Sequence, residues 1–379
     1  MRVIKNVKVL TMEGPEEVYQ EVEVAIKDGK IVKIGQDLKG DDYIDGQGHL
    51  LLPGFIDGHC HLGMWEDAIG FEGADGNEMT NPITPELRGI DSINPMDQTF
   101  VDARGGGVTS VATGPGSANV MGGSFVAIKT AGKRIDDMII KEPIAMKIAF
   151  GENPKRVYNE QRKSPTTRMA IAAELRKVLT EAKNYLAKKE GDDKQELNLK
   201  YEALIPVLKK EIPLKAHAHR ADDIFTAIRI AREFDLDITL EHVTEGHLIV
   251  DELVKENLPC IVGPSFGQRS KYELINKSFI TAVKLQQAGL KVAIMTDSPV
   301  IPQENLNMCA QFCVKEGMDH YEALKAITIN PAEILKIDDR VGSIKEGKDA
   351  DLVLWDGDPL DINSRVVFTM IDGDIVYKA

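Results

Sequence analysis

Between residues 107 and 298 the chain repeats one pattern: a short apolar segment, then an amphipathic one. The apolar segments read GVTSVAT (107–113), PIAMKIAF (143–150), PLKAHAH (213–219), DITLEHV (237–243), PCIVGPS (259–265) and KVAIMTDS (291–298). ADDIFTAIRIAREFD follows the third, GHLIVDELVKEN the fourth and KSFITAVKLQQAG the fifth, each with helical spacing of its apolar residues. Strand–helix alternation demands a parallel sheet, because parallel neighbours need a long crossover to bring the chain back. Adding SFVAIKT (124–130) and the run ending at His59 gives strand ends near 59, 113, 129, 150, 217, 242, 264 and 298. Eight strands favour a closed (β/α)8 TIM barrel. The segment 166–212 is too long for one crossover and reads as two helices with a charged break at 188–195.

Both ends of the chain differ from the middle. Residues 1–52 are rich in strand formers separated by turns such as Asp28-Gly29, and residues 339–379 have the same texture, with Asp372-Gly373 between two strands. The expected class is α/β: a TIM barrel over 53–338 with a small β-sandwich-like domain built from 1–52 and 339–379. A net charge of −14, from 46 basic and 60 acidic residues, argues against nucleic-acid or membrane partners. Four cysteines, Cys60, Cys260, Cys309 and Cys313, are too few for a disulfide framework in 379 residues. The start MRVIKNVKVLTMEG has no leader-like apolar core, and no apolar run reaches the ~18 residues of a membrane span, so a cytoplasmic protein is expected. Barrels of this kind often associate, so a homo-oligomer is compatible with the sequence.

Histidine is scarce, eight in all, yet five fall at apolar strand ends: His59, His61, His217, His219 and His242, with Asp297 at the last. The C-terminal strand ends of a barrel converge on one face. Residues two apart in a strand share a side, so His59 and His61 can reach one point while Cys60 packs away from it. Imidazoles with a carboxylate suit zinc or a similar divalent ion. His49, His247 and His320 sit in contexts that favour packing or surface roles. Lys147 lies inside the apolar strand PIAMKIAF, where an unpaired ammonium is costly; either its head reaches water, or burial depresses its pKa enough for carbamylation.

These motifs together resemble the amidohydrolase superfamily, the imidazolonepropionase-like and metallo-dipeptidase-related group in particular. PGFIDGHCHLG is similar to that family's first barrel strand, AHAH (216–219), LEHV (240–243) and MTDSP (295–299) to its later ones, and VGSIKEGKDADLVLWDGDP (341–359) to the return into its small β domain. The resemblance implies His59, His61, His217, His242 and Asp297 as metal-site residues, with zinc the expected metal. It implies Asp297 as general base and acid, and His219 or His242 as the group that helps polarise the carbonyl. Lys147 matches the carbamylated lysine of binuclear relatives, Glu152 is the rival bridge, and the choice leaves one or two ions open. The implied reaction is hydrolysis of a C–N bond in a small amide, cyclic amide or dipeptide-like substrate. The alternatives are deamination of a heterocycle, which the missing His-x-x-Glu pattern in HAHRADD disfavours, and a non-catalytic assembly protein, which loss of ligands would mark. Arg156 is the expected partner of a substrate carboxylate. Loop 64–95 should overlie the barrel mouth, with Glu78 and Arg88 at its surface, and the Gly-rich loop 114–124 offers amides for an anionic group.

Overall fold

A computed structural model describes residues 1–14, 18–67, 69–191 and 196–379. The first five strands are β1 (Arg2–Leu10), β2 (Val18–Lys27), β3 (Lys30–Gly35), β4 (Asp42–Asp45) and β5 (Leu50–Pro53). The next eight are β6 (Phe55–Cys60), β7 (Val108–Thr113), β8 (Met121–Lys129), β9 (Ile139–Ala149), β10 (Leu214–Ala218), β11 (Ile238–His242), β12 (Cys260–Val262) and β13 (Val292–Ile294). The chain ends on β14 (Leu352–Trp355), β15 (Val366–Ile371) and β16 (Asp374–Lys378).

The terminal strands form one sheet in the order β16-β15-β14-β5-β1-β2-β3, with β4 also paired to β1. The two ends of the chain meet where β5 and β14 run antiparallel. Alternating apolar residues from all of these parts, among them Val7, Val24, Ile26, Leu51, Leu352 and Met370, bury one another in a core of their own.

The other sheet runs β6 to β13 in sequence order and is a nearly closed barrel. Strands such as β10 and β11 are buried along their whole length, as expected where helices cover the outside. The helix Ala221–Phe234 shows how: Ile224, Ala227, Ile228 and Ala231 fall on one buried stripe, and Asp235 ends it in a left-handed turn. Closure is indirect. The Ile294 N–H donates to the Ala326 carbonyl (2.9 Å) and the Ile56 N–H to the Ile327 carbonyl (2.8 Å), so backbone from the next segment fills the seam between β13 and β6.

Two expectations need correction. The strand near 129 belongs to the barrel but runs antiparallel to both neighbours, β7 and β9. Residues 114–120 return the chain directly, and so short a link cannot carry it back to start a parallel strand. Over 166–212 there is one long helix, Arg168–Glu190, whose Thr167 hydroxyl caps the Ala170 N–H. Two single turns follow, Leu199–Glu202 and Ile205–Leu208; part of the expected charged break, 192–195, lies outside the described residues.

Buried Lys129 on β8 joins the two units. Its ammonium donates to Asp349 (2.7 Å), Asp351 (3.0 Å) and Asp372 (2.5 Å) of the C-terminal segment. No helix among the described residues is long and apolar enough to cross a membrane.

Candidate metal centre

At the C-terminal mouth of the barrel, six side chains gather in two triads: His59, His61 and Asp297, and His217, His219 and His242. Within each, the potential ligand atoms lie within 4.8 Å of one another. The Asp297 Oδ1 is 3.2 Å from His61 Nε2 and 3.7 Å from His59 Nε2. The His217 and His242 rings are 4.2 Å apart between centroids. Lys147 is completely buried with its Nζ 3.0 Å from His59 Nε2.

Local backbone geometry sets these directions. In β6 the ladder slips between Asp57 and Cys60, so the strict alternation of the strand breaks there. His59 therefore meets Lys147, while Asp57, of the same parity, bonds Thr296 and Gln303 instead. Cys60 packs in the apolar core beside the site, as its position opposite the histidines implies. In β11, neighbours Glu241 and His242 both reach the site region, which an extended strand forbids. His242 resolves this with φ +70°, followed by Val243 at +50°. Asp297 is also left-handed, at φ +56°, just beyond β13. Such conformations cost about 1–3 kcal/mol each in a non-glycine residue and persist where the surroundings impose them.

The hydrogen bonds decide which ring nitrogens are free. A carbonyl only accepts, so Nδ1 of His61, 2.7 Å from the Gly114 oxygen, carries its proton, as does Nδ1 of His242, 2.8 Å from the Gly263 oxygen. Nδ1 of His59 donates to Glu241 Oε2 at 2.8 Å. All three rings thus present an Nε2 lone pair. His219 differs: its Nδ1 meets the Thr244 hydroxyl at 2.8 Å, which can donate and leave Nε2–H as a donor. Burial, with Lys147 adding to it, holds His59 well below the ordinary imidazole range. His217 and His219 are lowered by burial and then His242, and burial takes His242 to about 3. All four are neutral at pH 7, the state that binds a metal. Burial works to raise Asp297, but His242, His61 and Lys147 outweigh it and hold it below the usual carboxylate range. Burial brings Lys147 down to about 7 against the pull of Asp297 and Glu241.

Three buried charges beneath the site escaped sequence reasoning. The β9–β10 register sets Lys215 opposite Lys147, and Lys215 Nζ reaches Glu241 Oε2 (3.0 Å) and the Gly58 carbonyl (2.9 Å). Glu241 also accepts from Thr239 Oγ1 (2.6 Å). Asp57, lifted by burial, takes bonds from the Thr296 N–H (3.0 Å), the Thr296 hydroxyl (2.6 Å) and Gln303 (2.8 Å), tying β6 to the segment that carries Asp297. The signal for Lys215 was there, a lysine inside an apolar strand like Lys147. Glu241→Gln should weaken metal affinity about 10–100-fold, the usual loss when the partner of a metal-binding imidazole is changed. It should also cost about 3–5 kcal/mol of stability, because Lys215 is left without its counter-charge. Metal titration and denaturant melts measure the two effects, and adding Lys215→Met should recover stability.

Above the triads lies a cavity of about 490 Å³, lined by His61, His217, His219, His242 and Asp297 together with Trp65, Asn77 and the loop after β12. Loop 64–95 therefore does reach the mouth, while Glu78 bonds Thr80 at the surface and Arg88 pairs with Glu142. Arg156 does not line the cavity. Pro154 and Tyr158 set the buried side of the helix Glu152–Glu160, and Arg156 is exposed. Glu152 belongs to neither ligand triad; its backbone N–H donates to Glu273. In the Gly-rich loop, the Gly116 N–H is spent on the Gly76 carbonyl and the Ala118 N–H on Asn77, so these amides are not open to an anion. His247 bonds the Thr281 hydroxyl, His320 pairs with Asp358, and His49 is half-buried beside β5.

His217 Nδ1, His242 Nε2 and Asp297 Oδ1 are buried with no hydrogen-bond partner among the described residues. Unsatisfied buried polar atoms are costly, and here they converge, which fits a divalent cation. The Gly263 carbonyl that orients His242 follows from a backbone only glycine adopts, φ +140°, with the Met295 oxygen 2.6 Å from where a Cβ would stand. Gly263→Ala should destabilise the fold by about 2 kcal/mol or more, measured as a lowered denaturation midpoint.

Comparison with known proteins places the chain among amidohydrolases. An amidohydrolase from Thermotoga maritima MSB8 superposes with a TM-score of 0.96 at 42% identity, covering 100% of both chains. Amidohydrolase tasK of Hapsidospora irregularis is 28% identical over 93% of this chain, which spans only 39% of that longer protein. A 5-methylthioadenosine/S-adenosylhomocysteine deaminase of Thermoanaerobacter pseudethanolicus is 24% identical over 94% of this chain and 85% of its own. An imidazolonepropionase of Streptococcus pyogenes is 24% identical over 89% and 84%. The model of the amidohydrolase family matches residues 50–377. With a barrel whose strand ends collect these potential ligands and a small sheet from both termini, the chain belongs to the amidohydrolase family and is a hydrolase acting on C–N bonds.

Proposed function

We propose that the chain hydrolyses the C–N bond of a small amide, cyclic amide or dipeptide-like substrate at a two-metal centre. The observation that carries this is Lys147, fully buried with its Nζ 3.0 Å from His59 Nε2 and near enough to His217, His219 and His242 to add to the lowering of their pKa values by burial. Burial favours its unprotonated amine. The neutral amine nitrogen can add to carbon dioxide and release one proton to solvent, which leaves a carbamate anion in its place. That anion would join His59, His61 and Asp297 on one side and His217 and His242 on the other. Imidazole and carboxylate donors suit zinc. A divalent ion held there lowers the pKa of its bound water and polarises the substrate carbonyl.

The protein groups then have distinct tasks. Asp297, with an unpartnered Oδ1, accepts the proton of the attacking water and returns it to the leaving nitrogen. His242, with its proton fixed on Nδ1, cannot donate from Nε2 and serves as a ligand. His219 supplies the Nε2–H that steadies the developing oxyanion. Glu241 holds His59, and Asp57 holds the Asp297 segment. Four buried free cysteines fit a reducing, cytoplasmic setting.

Metal analysis and a substrate panel test the reading together. About two ions per chain are expected, with N-acyl amino acids, dipeptides and cyclic amides compared for hydrolysis that chelation abolishes. Metal-loaded protein that leaves the whole panel intact overturns it, and ammonia release from heterocycles alone would establish deamination instead.

A further inference from the structure

We propose that Lys271 anchors a carboxylate of the substrate, which makes the substrate an anionic small amide; this rests on the hydrolase reading above. The charged side chains lining the cavity, the histidines aside, are Lys271, Lys277 and Asp297. Asp297 belongs to a ligand triad. Lys277 is committed to the loop itself, donating to the carbonyls of Phe266 (2.6 Å) and Gln268 (3.0 Å). Among the described residues each ammonium keeps one of its three donors, but Lys277 is buried at 9% exposure, so Lys271, 20% exposed, is the cation more open to the substrate space.

Its surroundings hold it in place. Lys271 Nζ donates to Asn153 Oδ1 at 2.8 Å and lies 2.7 Å from Glu273 Oε1. An ammonium has three donors, so one is uncommitted among the described residues. The side chain is 20% exposed, whereas Glu273 is 1% exposed and does not line the cavity. Glu273 is fixed in turn by the Glu152 N–H at 2.9 Å. The carboxylate therefore backs the lysine from the protein side. Asn153 bonds the Ser117 hydroxyl (2.8 Å) and lies 3.5 Å from His217 Nε2, so the ammonium stands beside the histidine triad. The groups the sequence offered for this task are elsewhere: Arg156 is exposed, and the amides of Gly116 and Ala118 are spent. A single ammonium without a ring of amides matches a monoanion such as a carboxylate better than a phosphate. Trp65, Phe266, Leu274, Pro299 and Val300 supply apolar wall for the remainder of the ligand.

Calorimetry on zinc-loaded protein with N-acetyl-L-leucine and N-acetyl-L-leucinamide tests this without requiring turnover. The acid is expected to bind about 10–100-fold more tightly than the amide, the range of a charge-assisted hydrogen bond. In Lys271→Met that preference should collapse with metal content unchanged, and Lys271→Arg should restore part of it. Equal affinity for acid and amide in the wild type overturns the proposal. So does a preference that survives in Lys271→Met, since the carboxylate would then sit on the metal. If Lys271→Met loses its melting transition, Lys271→Gln takes its place under the same two criteria. Failure of the hydrolase reading shows up separately, as intact substrates in the presence of a measured acid preference.

Discussion

Lys147→Ala is expected to reduce bound metal from about two ions per chain to one or none and to lower kcat/KM by at least about 10³-fold. That exceeds the 10–100-fold usual for a group that merely orients a ligand. The physical basis is position: Lys147 is fully buried, 3.0 Å from His59 Nε2, and the His59 ring lies 5.4 Å from that of His242 in the second triad. Removing its side chain leaves neutral imidazoles and Asp297 to hold two dications, with no bridging anion. Metal analysis by mass spectrometry and steady-state rates give the two readouts. Acetate, small enough to enter the space the side chain vacates, should return part of the second ion and part of the rate. Apo-protein reconstituted with zinc in carbon-dioxide-free buffer should take up less metal than the same protein given bicarbonate. Unchanged metal content in Lys147→Ala would show that the lysine is a structural cation and that the centre holds one ion.

Asp297→Asn is expected to lower kcat by about 10²–10⁴-fold, the contribution of a positioned proton-transfer group. The amide keeps the size of the carboxylate but cannot accept the proton. The fall should appear in kcat more than in KM, since Asp297 acts on the water and the leaving nitrogen. Some loss of metal affinity should accompany it, because Asp297 Oδ1 also faces His59 and His61. A variant that retains full kcat with metal bound would remove Asp297 from the chemistry. Glu241→Gln provides the contrast, with weaker metal binding but a rate that excess metal restores.

The parts of the site legible in the sequence lie at the ends of apolar runs. His59, His61 and His217 stand there, and the scarcity of histidine makes their clustering visible. The parts that were not legible depend on departures from regularity. At the slip in β6, Asp57 accepts the His59 N–H and the bonds of Thr296 and Gln303, while the His59 ring turns to Lys147, although both have the same parity. Left-handed backbone at His242 lets two adjacent residues of one strand serve the same site. The pairing of Lys215 with Glu241 depends on the register between β10 and β11. Arg156 follows β9 closely in sequence, but the helix that starts at Glu152 carries it onto the exposed face.

The sequence by itself determined the alternation of strands and helices, the join of the two chain ends and the kinds of donor available. These are encoded locally, in periodicity, turn residues and side-chain chemistry. Tertiary structure decided the direction of β8, the closure of the barrel through Ala326 and Ile327, and which nitrogen of each imidazole is free. It also decided that Lys271, from a loop with no strand signal, stands beside the histidine triad. The reason is that each of these depends on partners far away in sequence, whose distances and hydrogen bonds exist only once the barrel has brought its strand ends to one face.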